Sequence, residues 1–147
     1  MQSGIHLSAP RVADMDRMIN YLLSNMDTSR YVVDRERIRA FTEAMISQGW
    51  SRVAWHGDQI VGGIGVIEHA IPFAQREQLS VLALQSTVPG VGLMLIRDLV
   101  RRVKASPRVL QIVLNFGNGN GAYDVRVHRA LSRIAECLPA PQYVLYP

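Results

Sequence analysis

Apolar positions along this chain switch between two periods, and each switch marks the edge of an element. Val12, Met15, Met18, Ile19 and Leu22 recur at helical spacing through Leu23, which predicts an amphipathic helix with one buried face. The stretch 4–8 before it reads as a short first strand, and Ala9-Pro10 breaks the pattern between the two. Residues 25–29 read as a loop. A second helix is expected from about Asp34 to Ser47, with Ile38, Phe41, Ala44 and Met45 as its apolar face. Asp34 suits the N-cap, because a carboxylate there accepts backbone N–H groups that the first turn leaves unpaired.

Gln48-Gly49 closes that helix, and the period then falls toward two. Ser51 to Trp55 reads as a strand, His56-Gly57-Asp58-Gln59 as a turn, and Ile60 to Glu68 as a second strand, which together predict a hairpin. The run Ile60 to Ile67 is apolar on both faces, so its expected place is the centre of a sheet. Its glycines (Gly62, Gly63, Gly65) lower strand propensity and are expected where another backbone or a ligand comes close. Residues 70–74 lead to a strand from Glu77 to Leu84. A Gly/Pro loop follows, then a helix from about Val91 to Val103 with a predicted buried stripe of Ile96, Leu99, Val100 and Val103. Ser106-Pro107 stops it, and Val109 to Leu114 reads as a strand. Residues 115–121, rich in Asn and Gly, form a loop. A last helix is expected at 122–136 and a closing strand at 143–146. The order β-α-α-β-β-β-α-β-α-β predicts an α/β fold, a mixed sheet flanked by helices, as a single domain over residues 1–147.

Composition agrees with a packed domain. Of 147 residues, 48% are hydrophobic and 19% charged, which argues against disorder. No apolar run reaches the roughly 18 residues of a membrane helix, and the first residues lack the basic and apolar regions of a secretion signal. Cys137 is the single cysteine, so no intrachain disulfide forms and a reducing, cytoplasmic compartment is expected. The net charge of +4 and the pI near 9.7 would attract a polyanion. The arginines are scattered, however: Arg97, Arg101, Arg102, Arg126, Arg129 and Arg133 read as solvated helix faces, and no aromatic-basic pattern supports nucleic-acid binding. Trp50 and Trp55 read as core or rim aromatics. The four histidines (His6, His56, His69, His128) lack metal-ligand spacing.

One junction carries candidate chemistry. The strand 77–84 runs into Thr87-Val88-Pro89-Gly90-Val91-Gly92 and then into a helix. Glycines let the backbone turn tightly with its N–H groups uncovered, and a helix N-terminus adds orphan donors and a partial positive charge, an arrangement suited to a pyrophosphate.

With that junction and this element order, residues 4–146 resemble the GNAT superfamily of acyl-CoA N-acyltransferases. The family's loop is Arg/Gln-x-x-Gly-x-Gly/Ala; here Gly90 and Gly92 match, Thr87 stands in place of Arg or Gln, and Pro89 supplies no N–H. The stretch Val53 to Gly62 is similar to the family's second and third strands. The resemblance implies acetyl-CoA as cofactor, its pyrophosphate held at Thr87, Val88, Gly90, Val91 and Gly92. It also implies that Leu82, Ala83 and Leu84 hold the pantetheine arm through backbone groups, where two parallel strands splay apart.

The implied reaction is transfer of an acetyl group to a small-molecule or protein amine, which needs a base, an oxyanion stabiliser and an acid for the leaving thiolate. Glu77 is the first candidate base; Glu68 and His69 are second candidates. Tyr123, after Asn120-Gly121-Ala122, is the candidate acid, with His128 as its alternative. A second reading, motivated by Thr87, Pro89 and the short stretch after the last predicted helix, is a catalytically silent GNAT-fold module. Such a module would serve in a homo-oligomer or macromolecular assembly, like the compact GNAT-like domains among bacteriophage virion proteins.

Overall fold

The glycine-rich run does occupy the centre of a sheet. In the computed structural model, strands β1 (Ile5–Ser8), β2 (Arg52–His56), β3 (Gln59–Ala70), β4 (Glu77–Ser86) and β5 (Val109–Leu114) form one five-stranded sheet in that order. From β1 to β4 each strand is antiparallel to its neighbour, and β5 is parallel to β4. The helices are α1 (Met15–Ser24), entered through a 3₁₀ turn at Val12–Asp14, α2 (Arg35–Gln48) and α3 (Val91–Lys104). The structure describes residues 4–26, 28, 29, 32–114, 129 and 133. The chain divides into two compact units, Met1–Leu114 and Asn115–Pro147, and every element named here lies in the first. The predicted loop 115–121, helix 122–136 and strand 143–146, and with them Tyr123 and His128, lie outside the described residues.

Local signals act as the sequence predicts. The Asp34 carboxylate accepts the Arg37 N–H at 3.0 Å and caps α2, and Gly49 ends it in the left-handed region at φ 80°. A β-carbon is strained there and glycine is not. Gly57-Asp58 makes the hairpin turn between β2 and β3, closed by the pair His56 and Gln59.

Two glycines of β3 are explained by packing. A β-carbon on Gly62 would meet Val91 Cγ1 at 2.7 Å and Leu95 Cδ1 at 3.4 Å, both on α3, whereas one on Gly65 would meet Met45 Sδ of α2 at 3.1 Å. Residues three apart on a regular strand lie on opposite faces, so α3 and α2 press on opposite sides of the same strand. α1 shares the α2 side, where Gln85 Nε2 of β4 reaches the Leu22 carbonyl at 3.3 Å. Leu79, Val81, Val91, Leu95, Ile96 and Leu99 form the core beneath α3, each at most 2% exposed. Burying a side chain of this size contributes about 1.5–3 kcal/mol.

Three patterning expectations need correction. The buried stripe of α3 is Val91, Leu95, Ile96 and Leu99, so Val100 and Val103 lie only half-buried at its flank. The stripe sits one turn earlier than predicted because α3 crosses the sheet at Gly62, beside its own first turn. α2 buries no residue fully, and its Phe41 is 43% exposed. Val12 lies in the 3₁₀ turn and is exposed, whereas Met15 and Ile19 anchor α1.

Candidate functional site

The candidate site is the last part of β4 and the turn into α3. Ladder pairing of β4 with β5 ends, among the described residues, at Val81 and Leu114, while β4 continues to Ser86. At the same point the β3 ladder slips: Gly65 pairs with Ala83 and Val66 with Val81, which leaves Leu82 as the extra residue of a β-bulge. A bulge bends its strand and redirects the bulged residue, and Leu82 is accordingly 47% exposed beside the buried Val81.

Beyond Ser86 the chain turns tightly. The N–H and the hydroxyl of Thr87 both point at the Val61 carbonyl, at 3.0 and 3.4 Å. Thr87 thus ties the loop to β3, and its donors are engaged inside the fold. The Val91 N–H closes the turn on the Val88 carbonyl at 3.2 Å, and Met94 N–H bonds the Gly90 carbonyl at 3.1 Å as α3 begins. Gly90 is the N-cap, at φ 87°, with no side chain to satisfy the first turn and nothing within 4 Å of where a β-carbon would stand. First-turn N–H groups have no intrahelical acceptor. Gly90 and Gly92 stand at the positive end of a helix of 14 residues, a place where a helix N-terminus can receive a phosphate group. Of the expected pyrophosphate-binding residues, Thr87 and Val91 engage their N–H groups within the fold.

The candidate bases fall in three different settings. Glu77 opens β4, and its backbone N–H bonds the Arg108 carbonyl at 2.8 Å. By strand alternation its side chain shares the α3 face with Leu79 and Val81. Nine strand residues, about 30 Å at 3.3–3.4 Å each, separate it from Ser86, so the fold does not bring Glu77 and the loop together. Glu68 is structural. Arg108 donates to both of its oxygens, at 3.1 and 2.9 Å, Trp50 Nε1 donates to it as well, and Gln48 pairs with its backbone. The Arg108 guanidinium also lies over the Trp50 ring, 5.5 Å from its centroid. A carboxylate spent on these bonds ties β3 to Trp50, before β2, and to Arg108, before β5, and its acceptor sites are already engaged. His69 instead faces the α2 side of the sheet, where its Nε2 lies 2.9 Å from Ser80 Oγ and 3.1 Å from Gln78 Nε2.

A second ionic cluster supports α3 from behind. Asp98 binds Arg101 at 2.6 Å and Arg102 at 2.8 Å, with Arg52 at 4.0 Å. Burial alone pushes the Asp98 carboxyl up, but the hydrogen bonds and charges of Arg101 and Arg102 together outweigh it and hold it below the usual carboxylate range. Burial, with Arg102 nearby, lowers Arg52, and Asp98 opposes that shift. Arg102 also donates to the Trp50 carbonyl at 2.9 Å. It is therefore part of the fold and not one of the solvated arginines the sequence suggested. Both tryptophans are buried, each 7% exposed, as core aromatics should be.

This architecture is the GNAT fold. A structure of an aminoglycoside acetyltransferase from an uncultured soil metagenomic sample, in complex with trehalose, matches 99% of this chain and 99% of its own, with TM-score 0.71 and 14% identity. Glucosamine-6-phosphate N-acetyltransferase from Arabidopsis thaliana matches at TM-score 0.68 and 14% identity over 97% of each chain. Arabidopsis thaliana Naa50 in complex with the bisubstrate analogue CoA-Ac-MVNAL matches at TM-score 0.65 and 14% identity, over 86% of this chain and 81% of that one. No family model matches the sequence, and no curated protein matches it. Among the described residues no helix is long and apolar enough to cross a membrane.

Proposed function

We propose that this chain is an acetyl-CoA-dependent N-acetyltransferase with an amine acceptor, folded as one functional domain over residues 1–147. The observation that carries the proposal is the conjunction at the end of β4: the bulge at Leu82 and the start of α3 at Gly90, which has no side-chain cap. Backbone amides of Gly90 and Gly92, with Val88 and Val91 shaping the turn, would hold the pyrophosphate, and Leu82, Ala83 and Leu84 would present backbone groups to the pantetheine arm. When bound, the cofactor supplies an activated acetyl thioester. The chain's own residues then bind and orient it, exclude water, and accept the proton released by the amine. Glu77 serves as base within this reading only for an acceptor that reaches the start of β4, since five strand residues, about 17 Å, lie between it and Leu82. Tyr123 is the proposed acid.

The experiment is isothermal titration with acetyl-CoA. Micromolar binding, abolished by Gly92→Asp, is the expected result; absence of binding at millimolar acetyl-CoA refutes the proposal. An acceptor screen follows, using sisomicin and a peptide beginning Met-Val-Asn-Ala-Leu as probes, since acetyltransferases of this fold have been captured with these groups. Glu77→Gln tests the base. A second reading, a silent binding module in a larger assembly, is favoured by the engaged donors of Thr87 and the missing N–H of Pro89. It predicts no cofactor binding and a stable macromolecular partner.

A further inference from the structure

A cavity of about 380 Å³ opens beside β1, with His6, Ser8, Arg11, Arg17, Trp55 and Asp58 in its lining. Its volume is at the small end of ligand pockets. In the β1–β2 ladder His6 pairs with Trp55 and Ser8 with Val53, so by strand alternation His6, Ser8 and Trp55 share one face of the sheet. Arg17 of α1 lies over the Trp55 ring, 4.9 Å from its centroid. That face is therefore the α1 side, opposite α3.

The polar groups around this space are mostly donors. The Arg11 guanidinium holds Asp14 Oδ2 through Nε and Nη2, both at 2.9 Å, and its Nη1 makes no hydrogen bond among the described residues. Arg17 approaches the other oxygen of Asp14, Nη1 to Oδ1 at 3.6 Å, and its Nη2 donates to the Asp58 carbonyl. The Asp14 side chain is 9% exposed, whereas those of Arg11 and Arg17 are 72% and 50% exposed. One buried carboxylate thus tethers two guanidiniums that stay open to solvent, and much of their side-chain ordering is complete before any ligand arrives. Ser8 Oγ accepts from Trp55 Nε1 at 2.9 Å, which leaves the hydroxyl hydrogen free to donate, and the His6 ring adds an N–H. Among the described lining residues, Asp58 alone carries a carboxylate.

We propose that this cavity is a second ligand site, for a small molecule bearing a phosphate or carboxylate group. Its oxyanion sits between Arg11 and Arg17, whose planar donor forks suit either group, and Ser8 and His6 donate from the sheet. The site is independent of acetyl transfer. β2 and β4 are two strands, about 10 Å, apart, and α3 with Gly90 lies on the other face of the sheet.

Proton–nitrogen NMR of the full chain tests the site. Inorganic phosphate and succinate are titrated separately against chloride at constant ionic strength, and the arginine Nε–H and tryptophan indole signals are followed. The expected result is a saturable shift at Arg11, Arg17 and Trp55, with Arg39, which pairs with Asp16, unmoved. The tighter of the two anions identifies the group the site takes. Phosphate held at the start of α3 shifts the Gly90 and Gly92 amides and is read separately. Arg11→Gln should weaken binding about tenfold. Asp58→Asn keeps the backbone carbonyl that Arg17 uses and removes the opposing charge, so it should tighten binding. Both positions are exposed, which keeps the test clear of the core. No saturable shift up to tens of millimolar anion overturns the proposal. So do shifts that grow linearly at every arginine, affinity unchanged in Arg11→Gln, or weaker binding in Asp58→Asn.

Discussion

Gly62→Ala is the sharpest test of how α3 is seated. The new β-carbon would lie 2.7 Å from Val91 Cγ1, 3.1 Å from the Gln85 carbonyl oxygen and 3.4 Å from Leu95 Cδ1. Carbon atoms rest at about 3.5–4.0 Å, so Val91 must retreat by about 1 Å. It has nowhere to go, because Val91 and Leu95 are both 0% exposed and interiors are close-packed. Overpacking of this kind costs about 1–3 kcal/mol, and the lower chain entropy of alanine returns about 0.5–1 kcal/mol. A net loss of about 1–2 kcal/mol lowers Tm by about 3–6 °C for a chain of this size. Gly63→Ala is the control on the same strand, since its nearest atom, the Arg52 carbonyl oxygen, is 3.7 Å away. Thermal unfolding of the two variants gives the answer, and Val91→Ala added to Gly62→Ala should recover part of the loss as a non-additive term. If Gly62→Ala and Gly63→Ala melt within about 1 °C of each other, the packing argument is wrong. Because Val91 opens α3 beside Gly90, Gly62→Ala should also weaken acetyl-CoA binding, while Gly63→Ala should not.

The remaining predictions concern the loop, the ionic cluster and the helix cap. Gly90→Ala places a β-carbon at φ 87°, which costs about 1–2 kcal/mol, and calorimetry should find weaker acetyl-CoA binding. Asp98 has a folded pKa below its unfolded one, so the stability it contributes is present above the unfolded value of about 3.9 and is lost as pH falls through the folded value. Urea unfolding should accordingly show a shallower loss of stability below about pH 4 in Asp98→Asn than in wild type. Asp34→Ala removes the cap of α2 and should cost about 1 kcal/mol in urea unfolding, with acetyl-CoA binding unchanged. Glu68→Gln should lower Tm by weakening the Arg108 pair and leave acetyl-CoA affinity intact; a loss of affinity with unchanged Tm would refute its structural role.

Much of the architecture is legible in the residues alone because it depends on local causes. Helical spacing at Met15 and Ile19, the carboxylate at Asp34, the glycine at 49 and the turn at Gly57-Asp58 each act within a few residues of themselves. The doubly apolar run 60–67 announces a central strand wherever it packs, and Gly90 and Gly92 mark the turn from β4 into α3 before any neighbour is known. What only the tertiary structure decided depends on partners distant in sequence. The glycines at 62 and 65 are required by Val91 and Met45, and no property of β3 itself reveals which helix comes close. The slip that exposes Leu82 is a register between two strands. Glu68 could not be told from a free carboxylate until Arg108 and Trp50 closed on it, and Thr87 could not be told from a cradle residue until Val61 took its donors. Gln78, Ser80 and Gln111 are unremarkable polar residues along the chain; cross-strand pairing brings them to one face with His69. Propensity and capping are nearest-neighbour energies carried by the sequence, whereas register, close approach and the state of a titratable group are set by whichever surfaces the folded chain brings together.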